Sequence, residues 1–250
     1  MDQQWQVTGI DLAWGYKMPD AIAQGTFIKE ADDQWFLRDL NISYEKFSVK
    51  ELCEHIFKDG NQLIAIDAPL ICKNETGARP VDRECSDLYR KYEAGCHPVN
   101  LNLVKRPLEL ADELVRRKIK ISHEWEPNGM RAIEVYPHPT MIHWFGIEKT
   151  IKYKKGKVAE KRLAFRSYQD HLKQWLNNWS VKIESSIEGL LNAGWTKENE
   201  DRLDAFFCLL IACWEVMYEG EKSLSLGDDE SGFIVIPNNL LASFTKSGRV

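Results

Sequence analysis

No Cys-x-x-Cys pair occurs in this chain, and its six cysteines, at positions 53, 72, 85, 96, 208 and 213, follow no spacing that marks a zinc site or a disulfide framework. They read as free, mostly buried thiols. Nor does any stretch approach the apolar length of a transmembrane helix, and Met1-Asp2-Gln3-Gln4-Trp5 lacks the basic and apolar regions of a signal peptide. A cytoplasmic protein without a membrane partner is the expectation. Positive charge is also in short supply: 33 Lys and Arg stand against 38 Asp and Glu, for a net charge of −5. That excludes non-specific coating of nucleic acid through a global field but leaves room for a local basic track. No heptad run announces an oligomeric interface.

What is present is the composition of an ordinary globular protein, 44% hydrophobic and 28% charged, with nine tryptophans as its oddity. The chain is long enough for a substantial core. We read it as a single domain over 1–250, with a change to polar helical segments over 72–126 that marks a helical insertion. Trp5 to Leu12, Ala21 to Ile28 and Gln34 to Leu40 read as a three-stranded antiparallel meander with short connections. Ser48 then opens a helix with Val49, Leu52, Cys53, Ile56 and Phe57 at helical spacing. Leu63 to Asp67 is a buried strand that the intervening helix makes parallel to the sheet. Within the insertion, helices are expected over Val81 to Glu93 and Pro107 to Arg117.

Arg131 to Pro137 is a further strand, and Pro137-His138-Pro139-Thr140 breaks it to start a helix through Phe145. Lys149 to Arg162 is the most basic window, with Lys154 and Lys155 near its centre. Helices follow over about Val158 to Trp179, Ile183 to Leu191 and Glu198 to Tyr218. The last carries an apolar stripe of Leu203, Phe206, Phe207, Leu210, Ile211 and Trp214. Gly232 to Pro237 reads as a small terminal strand, and Thr245 to Val250 as a frayed tail.

The chemistry lies in the acids that end or border these apolar elements. Asp11 and Asp67 each close a β-branched run, and a carboxylate there either caps a turn or meets a cation. Glu134 sits inside a third run. Asp201 and Asp204, three apart, project from one face of the final helix, and Asp204 borders its buried stripe. Clustered carboxylates with no cation among them need divalent ions or raised pKa values, and hard oxygen ligands select Mg²⁺ or Mn²⁺. Two such ions roughly 3.5–4 Å apart suit in-line phosphodiester hydrolysis. Arg79, Arg83 and the lysine window would then contact a nucleic-acid backbone, against the competing reading of solvated charge.

The order β-β-β-α-β, helices, β, helices resembles the ribonuclease H-like fold: a mixed sheet of three antiparallel and two parallel strands, helices on both faces and a helical insertion. The segments Gly9 to Trp14, Ile64 to Leu70, Arg79 with Arg83 to Cys85, Glu134 to Pro139 and Asp201-Arg202-Leu203-Asp204-Ala205 resemble the family named domain of unknown function 429. Its members are described as predicted nucleases of that fold. The helical Asp-x-x-Asp-Ala also resembles the last catalytic helix of RuvC-type resolvases. These resemblances imply a two-metal nuclease, with Asp11, Asp67, Asp201 and Asp204 as ligands of two Mg²⁺ or Mn²⁺ ions. Asp11, Asp67, Glu134 and Asp204 would form the catalytic set, with Arg79, Arg83, His138, Lys154 and Lys155 on the nucleic acid. Two departures stand out: aspartate at 67 where RuvC-type enzymes carry glutamate, and an acid at 134 where the resolvase pattern needs none. The competing classes are a phosphotransferase of the actin and sugar-kinase branch, which would want a glycine two residues after Asp11 where Ala13 stands, and a non-catalytic binding module.

Overall fold

The computed structural model describes residues 3–238. Its frame is a seven-stranded sheet. The meander consists of β1 (Gln3–Asp11), β2 (Asp20–Lys29) and β3 (Trp35–Glu45), with Asp11 opposite Ala21 and Gln3 opposite Lys29. β3 runs five residues past its expected end, beyond an irregularity in its pairing with Gln24 and Thr26 of β2. Helix α1 (Val49–Ile56) starts at a reciprocal cap, in which Ser48 Oγ accepts from Glu51 N and Glu51 Oε2 accepts from Ser48 N. Its buried face, Leu52, Cys53 and Ile56, returns the chain under the sheet to β4 (Gln62–Ile66), which lies parallel to β1.

The stretch over 72–126 carries α2 (Pro80–Tyr89), one 3-10 turn, α3 (Lys105–Arg116) and a two-residue strand β5 (Lys120–Ile121). Strand β6 (Met130–Glu134) then joins β4 in parallel. After it come α4 (Pro137–Phe145), α5 (Val158–Asn178), β7 (Val181–Ile183), the short α6 (Glu188–Leu191) and the long α7 (Lys197–Tyr218). A hairpin of β8 (Ser223–Asp228) and β9 (Gly232–Pro237) closes the described chain. The strand order is β5-β6-β4-β1-β2-β3-β7. Its core, β3-β2-β1-β4-β6 with β2 alone reversed, is the ribonuclease H-like arrangement.

Three elements differ from the sequence reading. Ile183 to Leu191 is not a continuous helix but the end of edge strand β7, a four-residue connection from Glu184 to Ile187 and one helical turn. Strands β5 and β8 escaped notice because one is two residues long and the other alternates Leu224 and Leu226 with polar residues and ends in Gly227-Asp228. Thr245 to Val250 lies outside the described residues. No helix among the described residues is long and apolar enough to cross a membrane.

The two-residue strand period sorts the core into two layers. Trp5, Val7, Leu63, Ala65 and Ile133 face α7, α5 and α4, whereas Ile10, Ile64, Ile66 and Ala132 face α1 and α3. Helix α7 is buried almost throughout, from Leu203 to Val216. It lies directly on β1 at Gly9, where a Cβ would come within 2.0 Å of the Leu209 amide nitrogen and 2.2 Å of the Ala205 carbonyl oxygen. Only glycine permits that approach.

Candidate functional site

Strand parity decides where each acid emerges. Asp11 follows Val7 and Gly9, and Asp67 follows Leu63 and Ala65, so both continue the alternation toward α7. Helix α7 begins at that same sheet edge: Thr196 caps it by accepting from Asn199 N, and Asp201 and Asp204 lie in its first two turns. With α7 seated on Gly9, carboxylate oxygens of Asp11, Asp201 and Asp204 come within 4.8 Å of one another. Asp201 and Asp204 are buried and Asp11 is partly open, lining a cleft of about 420 Å³ with Trp14, Lys154, Lys197 and Asp201.

The expectation of carboxylates with no cation among them is corrected here. The Lys154 ammonium lies 2.8 Å from Asp204 Oδ2 and 3.9 Å from Asp11 Oδ1, and Lys197 donates to Asp201 Oδ1 at 2.6 Å. The hydroxyl of Tyr153, fully buried, donates to Asp204 Oδ1 at 2.7 Å. Tyr153 and Lys197 escaped the sequence reading; the only signal for Tyr153 is its place beside Lys154 in a basic window. Even so, negative charge is in surplus. Burial first, then the Asp11 charge, pushes Asp201 up to about 7, with Lys197 opposing. Burial likewise raises Asp204, against the pull of Lys154. Asp204 Oδ2 is buried, with the Lys154 ammonium at 2.8 Å as its counter-charge.

Asp67 stands beside this trio rather than within it. It is not among the three residues whose oxygens converge, although the charges of Asp11 and Asp204 reach it. Burial is the main reason that its carboxyl is pushed up to about 8.

Glu134 has a different fate. It shares the parity of Ala132, which faces away from α7, and so leaves the sheet on the other side from Asp11. There Arg79 claims it, with Nη2 at 2.6 Å from Oε1 and Nη1 at 2.9 Å from Oε2, while the Leu70 amide donates to Oε2 at 3.0 Å. The remaining donors of Arg79 go to Asp82 and to the Ile71 carbonyl. Arg79 is 1% exposed with every donor directed inward, so it is no backbone contact; it is a clamp between α2 and β6.

Of the other expected contacts, His138 is half-buried, its Nδ1 2.8 Å from Thr150 Oγ1. Burial, with Lys154 and Lys155 adding to it, lowers its pKa to about 3, so the ring is neutral and offers a phosphate no charge. Arg83 is exposed and lines a separate groove of about 650 Å³ with Ser86, Asp87 and Arg90. Lys155 is exposed next to Lys154.

A donor set of three converging carboxylates, two of them buried, fits a hard divalent cation. The family model described as protein of unknown function (DUF429) matches residues 48–230, which hold Asp67, Lys154, Asp201 and Asp204 but not Asp11. The chain belongs to that family. Comparison with curated proteins finds no match. Among solved structures, the chain is similar to the crystal structure of the yeast mitochondrial Holliday junction resolvase Ydc2, with 11% identity over 86% of this chain and 79% of that one and a TM-score of 0.38. At that distance the function of this DUF429 member has to be argued from its own side chains.

Proposed function

We propose that this DUF429 protein is a metal-dependent nuclease that hydrolyses phosphodiester bonds at the Asp11, Asp201 and Asp204 cluster. The convergence of those three carboxylates, whose oxygens lie within 4.8 Å of one another and outnumber the lysines beside them, carries the reading. Asp11, Asp201 and Asp204 would hold one Mg²⁺ or Mn²⁺ ion, and Asp67 with its neighbours Asp11 and Asp204 would hold a second. Ions bound there would lower the pKa of a water and neutralise the leaving oxygen.

The chain's own groups do the rest. Tyr153 fixes the rotamer of Asp204 by its hydrogen bond. Lys197 does the same for Asp201. Lys154 neutralises Asp204 in the metal-free protein and is the cation best placed to meet a substrate phosphate. Glu134 supports the strand ends through Arg79 and does not touch the reacting atoms. On this reading 1–250 is one domain and 72–126 an insertion into it, with α3 serving the core.

The test is Asp11→Asn and Asp204→Asn in the full chain. Calorimetric titration should lose Mn²⁺ binding and cleavage of labelled DNA and RNA oligonucleotides should fall to background, while the thermal melt stays almost unchanged. Cleavage that survives both substitutions would sink the assignment.

A further inference from the structure

The turn that follows Asp11 carries an unusual surface. Trp14 is 39% exposed, Tyr16 56% and Met18 53%, three large apolar side chains within five residues, all lining the cleft that holds Asp11 and Asp201. Exposed apolar groups scattered singly need no explanation, but a concentrated patch at a polar cleft does.

This turn is also braced. Asp20 and Arg106, both buried, form a two-pronged pair at 2.7 and 2.5 Å beneath it. Asp20 Oδ1 also accepts from Ala13 N at 3.0 Å, and Arg106 donates to the Ala13 carbonyl. The guanidinium of Arg106 lies 5.3 Å from the Tyr16 ring centre, and the Tyr16 hydroxyl donates to Glu109. A buried ion pair is a costly way to hold a solvent-exposed turn, so what the turn presents is held in place.

Trp14 is what remains free. One face and the hydroxyl of Tyr16 are already engaged, whereas the Trp14 ring stacks on no other ring of the described residues. It borders both the large cleft and a smaller one of about 80 Å³ shared with Asp67, Pro69, His97 and Tyr136. Lys17, Lys154 and Lys197 line the large cleft, so a π-face, cations and the carboxylate cluster share one wall.

We infer that Trp14 is a stacking platform for an unpaired nucleobase next to the phosphate at the carboxylates. The substrate class is therefore nucleic acid with single-stranded or unpaired nucleotides at the cut. Inside a duplex both faces of a base are covered by its neighbours, so a ring carried on this braced turn can stack only on a base out of the stack. Stacking on an aromatic side chain tolerates any base, so the platform selects strand state and not sequence. The inference rests on the nuclease reading above.

The experiment uses the full chain and a single-stranded oligonucleotide containing 2-aminopurine, with and without its complement, in Ca²⁺ and in metal-free buffer. The wild type should quench the probe in the single strand and bind it more tightly than the matched duplex. Trp14→Ala should lose the quenching and weaken single-strand binding about 10- to 100-fold. It should leave duplex binding and the thermal melt unchanged. Trp14→Phe, which keeps a π-face, should recover most of the affinity. Quenching and affinity unchanged in Trp14→Ala, or a wild type that prefers matched duplex, overturns the inference alone. A wild type that binds neither strand and cuts nothing in Mn²⁺ overturns the nuclease reading, and this inference with it.

Discussion

Two groups of carboxylates sit at the same edge of the sheet, and they are opposites. Glu134 and Asp82 surround one arginine: each oxygen of Glu134 takes a donor from Arg79, and Asp82 also accepts from the Arg79 and Val99 amides. Nothing there is left over. Asp11, Asp201 and Asp204 also cluster, but two lysine ammoniums serve three carboxylates. A saturated network is a fastener, whereas a surplus of oriented oxygens is a receptacle. The distinction turns on whether an arginine from the start of α2 arrives, the residue just before Pro80, not on anything in the strand that carries the acid.

The sharpest way to break this comparison is to empty the fastener. Arg79→Met leaves Glu134 and Asp82 buried without their cation, which should cost about 3–5 kcal/mol in denaturant melts. Loss of the whole fold would agree with that sign, and a change under about 1 kcal/mol would mean that the pair is not a clamp. On the other side, Lys154→Met removes the cation that competes for Asp204. Calorimetry should show Mn²⁺ binding about tenfold tighter while oligonucleotide cleavage falls by a similar factor, a split that simple misfolding cannot produce.

Glu215 in α7 lies between the two cases. It is buried, bound by Ser223 and within reach of the Arg131 charge, yet burial still pushes its pKa up to about 6. A carboxyl whose folded pKa exceeds its unfolded value of about 4.3 adds stability that is complete below pH 4.3 and is lost as pH rises through 6. Glu215→Gln should therefore gain roughly 1–2 kcal/mol at pH 8 relative to wild type and almost nothing near pH 4, read from denaturant melts at both values.

The frame was legible because its strands are long β-branched runs and its helices are periodic. Asp11 and Asp204 were legible for a related reason, since each sits against an apolar pattern where desolvation would be costly, and Asp201 came with Asp204 through their three-residue spacing. The Glu134 strand carries the same signal and the opposite meaning. Its partner Arg79 lies far back in the chain, and no spacing rule links them before the fold exists. Strand register, which puts Glu134 with Ala132 and not with Ile133, was the missing fact. Lys154 was visible as part of a basic track, but not as a counter-ion, because nothing local to Lys149 to Arg162 places it over α7.

Gly9 has a consequence in the order of synthesis. The contact between α7 and β1 is backbone against backbone, with no side chain at that point to fill in for a missing helix. Asp11 leaves the ribosome well before Asp201 and Asp204. A nascent or truncated chain that has formed the meander and β4 therefore carries Asp11 and Asp67 alone, and the three-carboxylate cluster exists only once the helix arrives.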